Sequence, residues 1–253
     1  MSARGFDVAI VGLGLIGGSL ARAVSARGWR VLGVDRRVVW RRARAVRAIA
    51  SGDEDPRAAA DAPLIVLAAP PQVNVALLRR LAPRLAPATV VTDLGSVKAP
   101  IVRAARTLGL RTFVGGHPMA GRERSGFAAS DAGLFRGQPW ILTPDGATPA
   151  AVRAVRRLAR EAGARVHTMA PGDHDRTMAF VSHMPQIVAW AIEAASRGDA
   201  TAARHLALAG PGFRDMTRLA RSPRPLWRQI LAENRDEVAR ALSALSRALR
   251  RRI

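Results

Sequence analysis

The arrangement that most narrows the folds open to this chain is an apolar run, VAIV at residues 8–11, leading directly into Gly12-Leu13-Gly14-Leu15-Ile16-Gly17 and on into a helical pattern. The first glycine permits a tight turn off a strand, the second lets backbone approach a pyrophosphate, and the third lets the helix pack closely on the sheet. The helix start presents unsatisfied N–H groups and a positive dipole end to the anion. Asp35 closes a second apolar run eighteen residues beyond Gly17, where a carboxylate accepts hydrogen bonds from an adenosine ribose. Residues 12–17 with Asp35 and Arg36 are therefore the expected cofactor-binding set. A carboxylate at position 35 repels a 2′-phosphate and points to NAD, while Arg36 and Arg37 pull toward NADP, which stays open.

Up to about residue 170, short apolar runs alternate with helical stretches. Strands are predicted at 8–11, 31–34, 64–68, 90–92, 112–114, 140–142 and 166–169, and helices at 19–26, 38–50, 73–81, 101–108 and 149–162. This β-α-β rhythm predicts a largely parallel sheet covered on both faces. Beyond Pro171 the strand signals stop, and apolar residues recur at helical spacing: Phe180, Met184, Ile187, Val188, Ala191 and Ile192, then Leu226, Ile230, Val238, Leu242, Leu245 and Leu249. The expected fold class is α/β, a Rossmann-type dinucleotide-binding domain over 1–170 followed by an all-helical substrate and dimerisation domain over 171–253. So short a helical segment with such apolar stripes calls for more surface to cover them, which predicts a homodimer.

The formal charge of +21 would ordinarily suggest nucleic acid. Lys98 is the only lysine, tyrosine is absent and alanine abounds, a pattern that reads as compositional bias toward arginine. The basic stretches 36–47 and 247–252 read as a solvated helix face and a helix end, and no aromatic residues interleave with the charge. No nucleic-acid partner is expected. Cysteine is absent, which excludes disulfides, cysteine zinc sites and cysteine nucleophiles. Residues 1–7 carry no signal pattern and no apolar run reaches the roughly 18 residues of a membrane span, so a cytoplasmic protein with no membrane partner is expected.

Three further clusters carry chemistry. Asp93-Leu94-Gly95-Ser96-Val97-Lys98 follows a strand at its carboxyl end, where ligands bind in open α/β sheets. Ser96 and Lys98 read either as ligand contacts or as parts of a turn in which Ser96 caps the helix beginning near Pro100. His117, in His117-Pro118-Met119-Ala120-Gly121, is expected on a glycine-flanked loop after the strand at 112–114, and is the first candidate base for an alcohol oxidation. His183 lies on an apolar helix interrupted by Pro185 and reads on its own as a core histidine. Arg214 and Arg218 are four apart, placing them on one helix face as a solvated basic face or a fork for a substrate carboxylate. Asp173-His174-Asp175 is read as capping at a helix start, His167 and His205 receive no role, and no metal-binding spacing is present.

VGLGLIGGSLA, DLGSVK, GGHPMAG followed by SGF, HDRTMAFVSHMPQ, FRDMTRLA and LWRQILAENRDEV together resemble the prephenate/arogenate (cyclohexadienyl) dehydrogenase family, in that family's order and over about 8–238. The resemblance implies NAD-dependent oxidative decarboxylation of prephenate or arogenate in tyrosine biosynthesis. It also implies roles: His117 as general base, Ser96 bonding the substrate hydroxyl and orienting His117, His183 contacting the substrate, and Arg218 and Arg214 binding a carboxylate. Lys98 is carried as a further substrate contact. No appended mutase or regulatory segment is expected within this length. Prephenate, arogenate and an amino-substituted prephenate stay open, since Gln186 is neutral and Glu123 has no defined orientation. Competing readings are another Rossmann-plus-helical dehydrogenase, disfavoured because no lysine lies in the helical part, and a non-catalytic NAD-binding regulator.

Overall fold

The computed structural model describes residues 5–122 and 124–252, so Glu123 lies outside the described residues. The chain divides into two compact units, 1–174 and 175–253.

In the first unit, β1 (Val8–Val11), α1 (Leu15–Ser25), β2 (Val31–Val34), α2 (Arg37–Ala45), β3 (Ser51–Asp53), β4 (Leu64–Leu67), α3 (Pro71–Leu81), β5 (Val90–Asp93), α4 (Ala99–Thr107), β6 (Phe113–Pro118), β7 (Pro139–Thr143), α5 (Pro149–Glu161) and β8 (Arg165–Thr168) follow in order. The strands form one eight-stranded sheet, β3-β2-β1-β4-β5-β6-β7-β8. It is parallel except where β6 meets β7. In β1 the period of two divides the strand between two cores: Val8 and Ile10 join the cluster with Leu20, Val24 and Trp140, whereas Ala9 and Val11 join the one with Leu78, Ile101 and Phe113. Burial on both faces explains why β1 and β4 read as continuous apolar runs. Each fully buried Val, Leu or Ile contributes about 1.5–3 kcal/mol. α5 shows the complementary pattern: Thr148 caps it by accepting from Ala151 N–H at 3.3 Å, and Ala151, Val155, Leu158 and Ala159 form its buried face.

Two sequence expectations need correction here. The helix expected over 38–50 stops at Ala45; Arg47 turns into the left-handed region at φ 56°, and the short edge strand β3 follows from Ser51. That strand, Ser-Gly-Asp, has no apolar run; it forms because its backbone pairs with β2 and Gly52 admits the Trp40 ring, which a Cβ there would meet at 2.5 Å. Similarly, β6 does not end at Val114. Its backbone pairs antiparallel with β7 through Gly115, Gly116, His117 and Pro118, so His117 sits on a strand.

The division between the units falls within α6 (Pro171–Met178). The second unit continues through α7 (Met184–Gly198), α8 (Ala200–Arg204), α9 (Pro211–Thr217), α10 (Arg224–Glu233) and α11 (Arg235–Arg250). Its core is small: buried Ala179, Val238 and Ala241, with Met184, Ile187, Leu231 and Leu242 packed on them. Between α6 and α7 the chain makes a π-helical turn over Ala179–His183. Pro185 has no N–H for the Val181 carbonyl and its ring crowds that turn, so the ladder widens: Met184 N–H bonds Ala179 C=O. Among the described residues no helix is long and apolar enough to cross a membrane.

Candidate functional site

At the carboxyl end of β1 the backbone turns on Gly12, at φ 100°, where a Cβ would lie 2.8 Å from the Ala68 carbonyl. A Cβ at Gly17 would lie 1.9 Å from the Gly12 carbonyl oxygen, so α1 can start this close only with glycine there. Gly14 differs, with nothing within 4 Å of an added Cβ. It opens onto the start of α1, whose first turn has neither a side-chain cap nor an acidic residue. Open space beside a helix N-terminus without a capping side chain is what a pyrophosphate requires, so Gly12, Leu13, Gly14, Leu15, Ile16 and Gly17 fit a dinucleotide. Asp35 follows β2; its Oδ2 accepts from Leu13 N–H at 2.7 Å and its Oδ1 from Arg36 N–H at 2.7 Å. These bonds hold the carboxylate against the glycine turn, with exposed Arg36 beside it.

The carboxyl edge of β5 and β6 forms a second arrangement. Asp93 ends β5 fully buried and pairs with the ammonium of Lys98, which is likewise fully buried. Asp93 also accepts from Gly95 N–H at 2.8 Å and Gly116 N–H at 3.2 Å, and Lys98 donates to the Gly116 carbonyl at 2.8 Å. The pair thus ties the β5 turn to the residue preceding His117. Glycine is required at 116, since a Cβ would lie 2.7 Å from the Asp93 carbonyl oxygen, and at 115, where it would meet Thr143 Oγ1 at 2.2 Å. Ser96 lies half-buried on this turn. It does not cap α4, because the residue before that helix is Lys98 and no side chain caps it.

His117 is nine-tenths buried, and its Nδ1 lies 2.8 Å from Nε2 of His174. The rings meet edge-on, centroids 5.1 Å apart. The sequence reading missed His174: the Asp-His-Asp run looks like helix capping, and nothing in its spacing reports that α6 returns to β6. Asp93 likewise has no role that its motif alone assigns. An acid ending a strand two residues before Gly95, with the lone lysine five residues on, was the signal available. Asn74, fully buried, bonds the Leu67 carbonyl and Ala69 N–H and so fixes the carboxyl end of β4.

In the helical unit, buried His183 ends the π-helical turn with its Nδ1 3.1 Å from Asn234 Nδ2. That amide nitrogen also donates to the Asp175 carbonyl at 2.7 Å, which fixes the amide's orientation. An amide nitrogen only donates, so His183 Nδ1 accepts and the neutral ring carries its proton on Nε2. Trp227 packs edge-on against the imidazole, centroids 5.9 Å apart. Gln186 donates to the Leu219 carbonyl at 2.7 Å. Arg214 and Arg218 are exposed and do not share one α-helix as expected: α9 ends at Thr217 and Arg218 opens a 3-10 turn. The Arg214 guanidinium bonds the Ala209 carbonyl at 2.6 Å.

The fold and these sites define a two-part protein with a dinucleotide-binding α/β unit and a helical unit. The nucleotide-binding domain of prephenate dehydrogenase matches residues 20–168 and its dimerization domain matches 170–252. Prephenate dehydrogenase of Bacillus subtilis is 35% identical over 244 residues, covering 91% of this chain and 65% of that protein. Cyclohexadienyl dehydrogenase of Zymomonas mobilis is 34% identical over 235 residues, covering 90% of this chain and 80% of that one. The structure of Aquifex aeolicus prephenate dehydrogenase in complex with hydroxyphenyl propionate and NAD+ superposes with a TM-score of 0.90 at 30% identity, covering 97% of this chain and 88% of that chain. The chain belongs to the prephenate dehydrogenase family. It spans just under two thirds of the Bacillus protein's length.

Proposed function

We propose that this chain is an NAD-dependent dehydrogenase that oxidatively decarboxylates prephenate, arogenate or both in tyrosine biosynthesis, acting as a cytoplasmic homodimer. The observation that carries the reading is the placement of a buried histidine, His117, at the carboxyl end of β6, in the sheet whose β1 bears a glycine turn fit for a dinucleotide. The relatives named prephenate and cyclohexadienyl dehydrogenase, and the Aquifex structure with NAD+, support the substrate class and cofactor.

Bound at the glycine turn, NAD+ supplies the hydride acceptor. The functional parts divide near residue 170, with dinucleotide binding before it and substrate binding and dimerisation after. His117 accepts the proton of the ring hydroxyl, and Ser96 hydrogen-bonds that hydroxyl. The carbon bearing it loses hydride, and the ring carboxylate leaves as CO2 with its bonding electrons passing into the ring, which becomes aromatic. His183, carrying its proton on Nε2, donates to the substrate. Arg218 and Arg214 receive a carboxylate, for which guanidinium geometry is suited. Lys98, carried from the sequence as a substrate contact, instead acts through the buried pair with Asp93 that sets the His117 strand. Asp35 selects NAD over NADP. For the dimer, α11 offers a recess of about 450 Å³ lined by Leu242, Leu245 and Leu249, on a segment that matches a dimerization domain.

The test follows reduced nicotinamide formation with prephenate and arogenate in parallel, each with NAD+ and NADP+. Turnover of either acid is expected, and His117→Asn should lower kcat by roughly 10²- to 10⁴-fold. Binding of NAD+ without oxidation of either acid would overturn the reading.

A further inference from the structure

From the His117–His174 contact we infer that His174 is a positioning residue: its Nε2 accepts the Nδ1 proton of His117 and so locks that imidazole into the tautomer whose Nε2 can take a proton from substrate. The inference rests on His117 being the base of the proposed reaction. A neutral imidazole carries one ring proton, and a single N–H···N bond of 2.8 Å needs one donor and one acceptor. Were His174 the donor, Nδ1 of His117 would accept, its proton would sit on Nε2, and that nitrogen could not act as a base. Only the opposite polarity leaves a basic nitrogen on His117 directed away from His174. The identity of the partner therefore decides whether His117 can do acid-base work at all.

The mounting of both rings supports this role. His117 sits in strand register with Ile141, one residue beyond Gly116, whose N–H bonds Asp93 and whose carbonyl accepts from Lys98. His174 is fully buried on α6, its backbone N–H bonded to the Ala170 carbonyl at 2.9 Å. Two rings held on a strand and a helix keep their mutual angle, as an orienting partner must. A carboxylate in the same place would also fix the tautomer, but it would add a negative charge beside the base. An imidazole acceptor holds the ring with no net charge.

The test uses full-length protein labelled with ¹⁵N-histidine, free of substrate, compared as wild type, His174→Gln and His174→Leu. Nitrogen shifts report which ring nitrogen of His117 carries the proton. Wild type should show it on Nδ1. His174→Gln places a carbonyl near the lost Nε2 and should keep that tautomer, whereas His174→Leu should release it to a mixture. In turnover, kcat should fall about 10- to 100-fold in His174→Leu with KM little changed, and be largely restored in His174→Gln. A proton on Nε2 of His117 in wild type, or an unchanged tautomer and kcat in a folded His174→Leu, would overturn the inference. If His174→Leu fails to fold, the wild-type and His174→Gln spectra decide alone. Because the spectra need no substrate, a wild type that turned over neither acid would remove the proposed reaction while leaving the tautomer result readable.

Discussion

The two units of this protein solve the burial problem differently. The α/β unit encloses two apolar clusters on opposite faces of its sheet and buries two polar pairs beside them, Lys98 with Asp93 and His117 with His174. The helical unit encloses one small cluster, Ala179, Val238 and Ala241, and leaves Leu208 at 81% exposure, Val181 at 61%, Met216 at 55% and Leu249 at 52%. The larger clusters belong to the first unit, and the second, the shorter one, carries the most exposed large apolar side chain, Leu208. The imidazole proposed as the base is held by fixed surroundings in the first. A helical unit whose stripes stay open is suited to close on a second copy.

The sharpest way to break this comparison is Lys98→Met. If the α/β unit depends on internally matched polar groups, removing the ammonium strands the Asp93 carboxylate in the core, and urea unfolding should show a loss of about 3–5 kcal/mol. Adding Asp93→Leu should return much of it; a single variant as stable as wild type would show that the pair is not what completes that edge. Next in size, Leu245→Asp on α11 removes one leucine from each side of the proposed dimer face, about 1.5–3 kcal/mol per buried side chain, and should halve the mass measured by light scattering. A wild type already monomeric would end the argument that the helical unit awaits a partner.

A smaller effect is expected from Asn234→Leu, which takes the shared donor from the Asp175 carbonyl and from His183; thermal unfolding should report about 1–3 kcal/mol. It also frees the His183 tautomer, so KM should rise more than kcat falls. The smallest effect sharpens the contrast between core and surface pairs. The Arg57 guanidinium and backbone N–H hold the exposed Asp55 carboxyl down at about 2, with Arg80 adding to the pull. Because the folded value lies below the unfolded one, the contribution is present above the ordinary carboxylate range and is lost as pH falls through about 2. An NMR titration of Asp55 should find that midpoint, while Asp55→Asn should leave stability at neutral pH nearly unchanged, as exposed pairs do.

Much of the α/β unit was legible because its signals are local. A strand buried on both faces must be apolar throughout, so β1 and β2 were located to the residue. The glycine turn carries its own reason for each glycine, which the steric environment of Gly12 and Gly17 repeats. The edge strand β3 was not legible, since Ser51, Gly52 and Asp53 are strand only by pairing with β2. The extension of β6 through His117 was hidden likewise, because glycines 115 and 116 look like loop until β7 is laid antiparallel beside them.

What the sequence determined by itself was therefore whatever a short stretch decides alone: the order of most strands and helices, the phosphate turn, the change of architecture near residue 170, and the candidates Ser96, His117, His183 and Arg218. Tertiary structure decided which polar groups answer which. Asp93 and Lys98 pair directly and both bond Gly116, and His174 reaches His117 from 57 residues away. Hydrogen bonds and ion pairs act over a few ångströms in space without regard to separation along the chain, so no local pattern encodes them. The candidate base His117 could be read from its motif, but its contact with His174 only from the fold.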